Sequence, residues 1–400
     1  RQFKVFCMRN IISKLENKQY LLINLLEAPL LAVILGFFTK YITSSGYVFA
    51  ENKNLPVFLF MSVVVAIFLG LTVSAEEIIK DRKILERESF LQLSWFSYIN
   101  SKIAFLFALS AIQTFLYTLI GNSILEIHGM LIPFWLILFS ASCIGNIIGL
   151  NISSGLDSVI AIYVLIPLIL VPQLLLGGAM IPFDDLHKSL TSRIYVPVIG
   201  NLMPTRWAYE ALAVEQFKNN DFEKNFFKDE QIISNNEYRT GFLIPQMETK
   251  LEAIVNKRFS DTDSVSVSKD IQLLKNEFEY LAKSTGVAPF EFIDLLDYQT
   301  FTEDIAEGVY GYLYYLKMTF AEEHKLATDR KEKTYNELVS KMGNNEFVKY
   351  RQRYYNKKLA DLVLNRNELF KVYQTETHFI QKKDPVFMEP TSNYGQAHFY

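Results

Sequence analysis

Cysteine is almost missing from this chain: two in 400 residues, too few for a disulfide framework or a zinc site. Five histidines are scattered, so a resident metal is not expected. No G-x-x-x-x-G-K-[ST] phosphate loop occurs, and Glu322-Glu323-His324 lacks the second histidine of H-E-x-x-H. A net charge of −3 supplies no basic field for nucleic acid. Charge itself is missing from long stretches. Between Ile103 and Met180 only Glu126 and Asp157 are charged.

Half the residues are hydrophobic, which excludes a disordered chain. The mean hydropathy of +0.12 averages an apolar first half and a polar second half. Five apolar runs, 20–38, 56–75, 103–125, 130–152 and 158–180, have the length of about 20 residues that crosses a bilayer core. Lys and Arg crowd the leader (Arg1, Lys4, Arg9, Lys14, Lys18) and the stretch between the second and third runs (Lys80, Arg82, Lys83, Arg87, Lys102). The positive-inside bias puts both in the cytoplasm. Five crossings then leave everything after Met180 outside. Gly145 and Gly149 form a small-xxx-small pattern in the fourth run, expected to pack within one bundle ahead of serving a dimer seam.

Two connecting segments are not plain loops. Residues 76–88 have helical spacing, with Glu76/Lys80 and Arg82/Glu86 at i,i+4. The tract runs on to Lys102 through Trp95, Phe96 and Tyr98, an interfacial aromatic belt. Residues 177–217 are too apolar for a free loop and too broken by Pro and Gly for a span. Re-entrant half-helices are expected there.

The basic leader, Glu27-Ala28-Pro29, the tract ending in Arg87-Glu88, Gly177-Gly178-x-x-Ile181-Pro182 and Arg206-Trp207-Ala208-Tyr209-Glu210-Ala211 together resemble the permease of an ABC transporter of the ABCG (white/pleiotropic-drug-resistance) type. The likeness covers roughly residues 1–215. It implies a connecting helix over 1–19 and a region, 76–102, that couples to a nucleotide-binding domain through Glu76, Glu77, Arg82, Glu86, Arg87 and Glu88. It implies an exit plug at Leu174, Leu175 and Leu176. It also implies a re-entrant segment, 181–217, containing Pro182, Pro204, Arg206 and Trp207. ATP and Mg would sit on that partner domain, expected before Arg1, so these residues are not themselves an enzyme. A second permease copy and the lipid bilayer are the other expected partners, and a sixth span is expected beyond Tyr400.

Residues 218–400 depart from the family pattern. Stripes such as Ile271, Leu274, Phe278 and Leu281, or Ile305, Val309, Leu313, Leu316 and Phe320, predict a helical hairpin or small coiled-coil-like bundle. A third stripe runs from Phe347 through Tyr350, Tyr354 and Leu362 to Leu369, and 261–268 reads as a polar linker. The tyrosines at 310, 312, 314 and 315 are expected in a core or helix interface ahead of a ligand box. The basic run 349–358 is expected to pair with the acidic stretch 291–307. The sole sequon, Asn151, lies at a membrane edge. An outer domain without sequons or cysteines points toward a bacterium, where it would be periplasmic.

The fold expected is therefore an all-α membrane protein: five transmembrane helices with re-entrant helices, then a helical soluble domain. Two functions compete. One is the permease of an ATP-driven exporter that moves an amphipathic or lipid-like substrate by alternating access. The other is a membrane-anchored interaction or sensor protein whose outer helical domain binds an envelope partner.

Overall fold

A computed structural model describes residues 2–44, 46–87, 94–183, 186–187, 189, 196–258, 264–366, 372–382 and 384–388. The chain divides into two units. The first is Arg1–Glu223 with Val348–Ala360, and the second is Lys224–Phe347 with Asp361–Phe399.

The first unit is built from α1 (Gln2–Glu16), α2 (Lys18–Thr39), α3 (Leu55–Ser74), α4 (Glu77–Arg87), α5 (Trp95–Leu125), α6 (Leu131–Gly155), α7 (Val159–Leu175), the one-turn α8 (Val198–Asn201) and α9 (Pro204–Lys218). Helix α3 is its centre, with Leu55, Leu59, Val63, Ile67 and Leu71 fully buried. Around it α2 and α7 turn apolar side chains outward, among them Phe37, Phe38, Ile160 and Leu168. Apolar residues all round a helix suit a lipid surround. Among the described residues, four helices are long and apolar enough to cross a membrane: α2, the one beginning with α3, α5 and α6. The fifth run is shorter than its sequence. Helix α7 has 17 residues, because Pro172 and then Gly177-Gly178, with Gly178 at φ +77°, end it before Met180.

Glycine sets the closest approach in the bundle. A Cβ on Gly145 would stand 2.4 Å from the Ile67 carbonyl oxygen, and one on Gly149 2.0 Å from Ser74 Oγ. The small-xxx-small pattern thus packs α6 onto α3 within the unit. Polar side chains add bonds between helices. Ser110 Oγ accepts from Ser142 Oγ at 2.9 Å and from Asn146 Nδ2 at 2.8 Å. Gln113 Nε2 donates to the Asn24 carbonyl at 2.8 Å.

Helix α5 ends on Glu126 in the left-handed conformation (φ 55°), so the turn before α6 lies where the sequence puts it. At this end Tyr47 Oη donates to the Leu125 carbonyl at 2.6 Å. The segment Val348–Ala360 joins this end too. It holds most of α14 (Asn344–Tyr354) and the start of α15 (Lys357–Val363). Asn356, buried, donates to the Phe49 and Asn52 carbonyls at 2.7 and 2.9 Å. Its Oδ1 caps α15 through the Leu359 N–H at 2.9 Å. The third stripe is therefore two helices broken at Asn356, and Leu369 lies outside the described residues. Arg351 of the basic run lies over the rings of Phe222 and Tyr355, at 5.9 and 5.2 Å, and so takes aromatic partners within this unit.

The second unit contains α10 (Phe227–Tyr238), which passes through a π-turn (Arg239–Leu243) into α11 (Ile244–Arg258), then α12 (Ser264–Thr285) and α13 (Glu303–Met342). Its core joins Leu274, Phe278, Leu316 and Phe320, from the stripes expected from sequence, to Ile244 and Leu251 of α11. The polar linker is shorter than expected, because α12 already begins at Ser264 and buries Val267. A two-stranded antiparallel hairpin, β1 (Val372–Gln374) and β2 (Phe379–Gln381), is an addition to the all-helical expectation. The buried Glu277 of α12 anchors it, accepting the Phe379 N–H at 2.8 Å and contacting His378 Nδ1 at 3.1 Å. This bond holds the imidazole pKa above its ordinary value, against the opposing effect of partial burial.

Candidate functional site

Helix α4 starts three residues after α3 ends, and its first turn is fixed from another helix. Ser153 Oγ, near the end of α6, accepts the N–H groups of Ile78 at 3.0 Å and Ile79 at 3.1 Å. These are donors that a helix start leaves without internal partners. The residue just before them is Glu77, whose side chain is 4% exposed. A carboxylate in that position is costly unless paired. It is paired twice, with Lys14 of α1 and, at 3.0 Å, with Lys102 of α5. Lys102, 3% exposed, also reaches Asp81 at 2.8 Å, one turn along α4. Tyr98 Oη donates to the same Asp81 oxygen at 3.0 Å.

Two carboxylates and two ammonium groups thus form a neutral joint that ties α4 to α1 and α5. Around it, Phe6 packs edge-on to Tyr98 at 5.7 Å. Asn10 donates to Ser101 at 3.2 Å, and Lys14 lies over the Tyr20 ring at 4.2 Å. The amphipathic leader is therefore part of the joint.

The expected coupling residues separate by depth. Glu77 is an interior anchor. Glu76, half-buried, pairs with Lys80 and accepts from the Tyr163 hydroxyl of α7. Arg82 pairs with Asp157, in the turn before α7, and lies 3.9 Å from Glu86. Glu86 and Arg87 are exposed at the far end of α4. Glu88 lies outside the described residues.

The second region centres on the end of α7. Leu174 and Leu176 are half-buried and Leu175 is exposed. The neighbouring Gln173 is buried. Its side-chain oxygen accepts from Thr205 Oγ1 at 3.0 Å, and its carbonyl accepts from the same hydroxyl at 2.9 Å. This locks the end of α7 to the start of α9. Pro204 opens α9 where a missing N–H costs nothing. Arg206 is 1% exposed. Its guanidinium donates to Asn201 Oδ1 at 2.6 Å, lies 3.4 Å from Glu210 Oε2 and stacks over Trp207 at 4.3 Å. Burial raises the Glu210 carboxyl pKa, and Arg206 opposes the shift. Tyr209 meets Phe60 of α3 edge-on at 5.4 Å. Pro182 is exposed, and part of 181–217 lies outside the described residues.

Residues 1–217 match the family model described as ABC-2 type transporter. The chain belongs to the ABC-2 type transporter family. No curated protein and no solved structure gives a significant match. This ABC-2 protein is an integral membrane protein and the permease component of an ABC transporter, in a family whose members pair with an ATP-binding component. The permease domain is a membrane component without catalytic activity of its own.

Sequence reading found the tract of α4 but not the joint. Lys14 and Lys102 entered only as markers of sidedness. The available signal was their position: Lys102 directly precedes the third apolar run, and Lys14 lies six residues before the first. A cation at the edge of an apolar run needs an acid partner, and Glu77 and Asp81 stand at the edge that follows the second run.

Proposed function

We propose that the ABC-2 permease is the transmembrane half of an ABCG-like, ATP-driven exporter, working as two copies around a central path. It moves an amphipathic or lipid-like substrate outward by alternating access. ATP and Mg act on a nucleotide-binding domain carried by the same chain or a subunit. That domain engages the exposed end of α4 at Arg82, Glu86 and Arg87, with Glu88 next in sequence.

The observation that carries this reading is the buried joint of Glu77, Asp81, Lys14 and Lys102. A push on an exposed helix is lost as bending unless its base is fixed. Here the base is fixed to α1 and α5 by ion pairs and to α6 through Ser153. Displacing α4 must therefore move the bundle helices, and through Tyr163 and Asp157 the start of α7. At the other end of α7, Leu174, Leu175 and Leu176 act as the exit plug, beside the Gln173–Thr205 lock.

With 17 residues α7 is at the lower limit of spanning length, and we assign it as the fifth crossing. The end with Tyr47, Glu126 and Asn356 then faces outward, into the periplasm of a bacterial inner-membrane protein. The experiment is ATP turnover and substrate efflux by the whole transporter in proteoliposomes, with Glu86→Lys and Arg87→Glu combined. Loss of stimulated turnover in a normally folded protein supports the reading. Turnover unchanged by the reversal contradicts engagement at the end of α4, and no ATP turnover by the whole protein favours the interaction or sensor alternative.

A further inference from the structure

Helix α13 carries a surface that the transport reading does not use. Phe292, Tyr310, Tyr314, Tyr315 and Met318 are between 42% and 65% exposed. Tyr310, Tyr314 and Met318 recur every four residues, so they line one face of the helix. Phe292 joins them from the preceding loop, since a Cβ on Gly308 would stand 3.9 Å from its ring. Ring contacts continue the surface: Phe292 to Phe290 at 5.9 Å, Phe290 to Tyr312 at 5.2 Å, and Tyr312 stacked on Tyr315 at 6.0 Å. Tyr312 itself is buried and donates to the Ala288 carbonyl at 2.7 Å. Only that tyrosine takes the core role expected of the run.

The surface is negatively charged. From Ser284 to Leu316 the sequence has no Lys, Arg or His, while Glu291, Asp294, Asp297, Glu303, Asp304 and Glu307 supply carboxylates. Glu291, Asp294, Glu303, Asp304 and Glu307 are exposed and form no ion pair among the described residues. Glu252 and Glu248 of α11 extend the same field to Tyr310, whose hydroxyl pKa is raised by partial burial and then by these two charges. Lys317 is the cation at its far edge. Gly308 and Gly311 leave the helix floor between the rings without side chains, and nothing lies within 4 Å of a Cβ placed on Gly311. Glycine is penalised inside a helix, so the bare floor is a feature to be explained.

Aryl faces in an acidic field attract cations, and an exposed aromatic and apolar strip with one sign of charge marks a contact surface. We propose that this face of α13 docks a cationic amphipathic peptide segment of a partner protein. Its Lys and Arg side chains meet the tyrosine rings and carboxylates, and its apolar side covers Met318 and the glycine floor. A bilayer is the poorer occupant, because anionic headgroups are repelled by these carboxylates.

The test uses the full chain in uncharged detergent and measures binding of a fluorescent amphipathic Lys/Leu helix by anisotropy. A Glu/Leu helix of the same pattern is the control, and vesicles rich in phosphatidylglycerol form a separate arm. The Lys/Leu helix binds, and more weakly as salt rises, while the Glu/Leu helix and the vesicles do not. Tyr314→Ser with Met318→Ser, and separately Glu303→Lys with Glu307→Lys, each weaken binding by about tenfold. The charge reversal also flattens the salt dependence. These side chains are exposed, so thermal unfolding stays as in the parent protein. Equal binding of both peptides, no effect of either pair of substitutions, or capture of the vesicles instead would overturn the proposal.

Discussion

Replacing Glu77 by Ala removes the acid at the centre of the joint. The side chain is 4% exposed, and its partner Lys102 is 3% exposed. Removing one member of a buried ion pair costs about 3–5 kcal/mol, mostly from the charge left behind. Two features place Glu77→Ala at the lower end. Lys102 keeps Asp81 at 2.8 Å, and Lys14, 17% exposed, can turn toward water. We expect a loss of about 3 kcal/mol. Lys102→Ala strips Glu77 and Asp81 of their shared cation and should cost about 4 kcal/mol. Because the two residues touch, the double variant should fall short of the sum by at least about 1 kcal/mol. Unfolding in mixed micelles provides the assay, followed by tryptophan fluorescence. Trp95, whose ring lies 5.4 Å from Tyr98, reports directly from the joint. Single losses below about 0.5 kcal/mol, or additive losses, would refute the picture of a buried, coupled network.

Other expectations follow from the same packing. Gly145→Ala puts a Cβ 2.4 Å from the Ile67 carbonyl, so α3 and α6 must separate. We expect about 2 kcal/mol of lost stability in a thermal melt, while Gly155→Ala, with open space around its Cβ, should be neutral. Thr205→Val removes the hydroxyl bond to the buried Gln173 side-chain oxygen, which keeps the residue-205 N–H at 3.3 Å, and should cost about 1 kcal/mol in the same melt. His378 tests pH. Its folded pKa is raised by Glu277, so the contact is fully present below the unfolded value near 6.5 and weakens as pH rises through the higher folded value. Hydrogen exchange across residues 377–381, corrected for the intrinsic rate, should become less protected from about pH 6 to pH 8. In His378→Ala that trend should vanish.

Much of the first unit is readable from composition, because apolar length and charge placement are local properties. The runs that became α2, α3, α5 and α6, the Glu126–Gly129 turn and the glycine seam are of this kind. The end of α7 is not legible in composition, because Leu174–Met180 remains apolar past the point where Pro172 and the glycine pair stop the helix. The joint was hidden because it depends on which helices meet: Glu77 pairs with residues 63 and 25 positions away. Two three-residue strands have too few positions to show an alternating pattern. The return of Val348–Ala360 depends on side chains that reach far along the chain, Asn356 to Phe49 and Asn52 and Tyr350 to the Asp221 carbonyl. In the tyrosine run, spacing alone could not say which ring faces inward, because Tyr312 and Tyr315 lie on neighbouring sides of one turn.

The most direct measurement of coupling through α4 is substrate-stimulated ATP turnover by the assembled transporter, set beside thermal stability for two variants. Glu86→Lys with Arg87→Glu changes only exposed side chains, so it should leave the melt unchanged and abolish the stimulation. Glu77→Gln keeps the size of the buried anchor but removes its charge, so it should lower both. Stimulation that survives the exposed reversal at full strength would contradict transmission through α4.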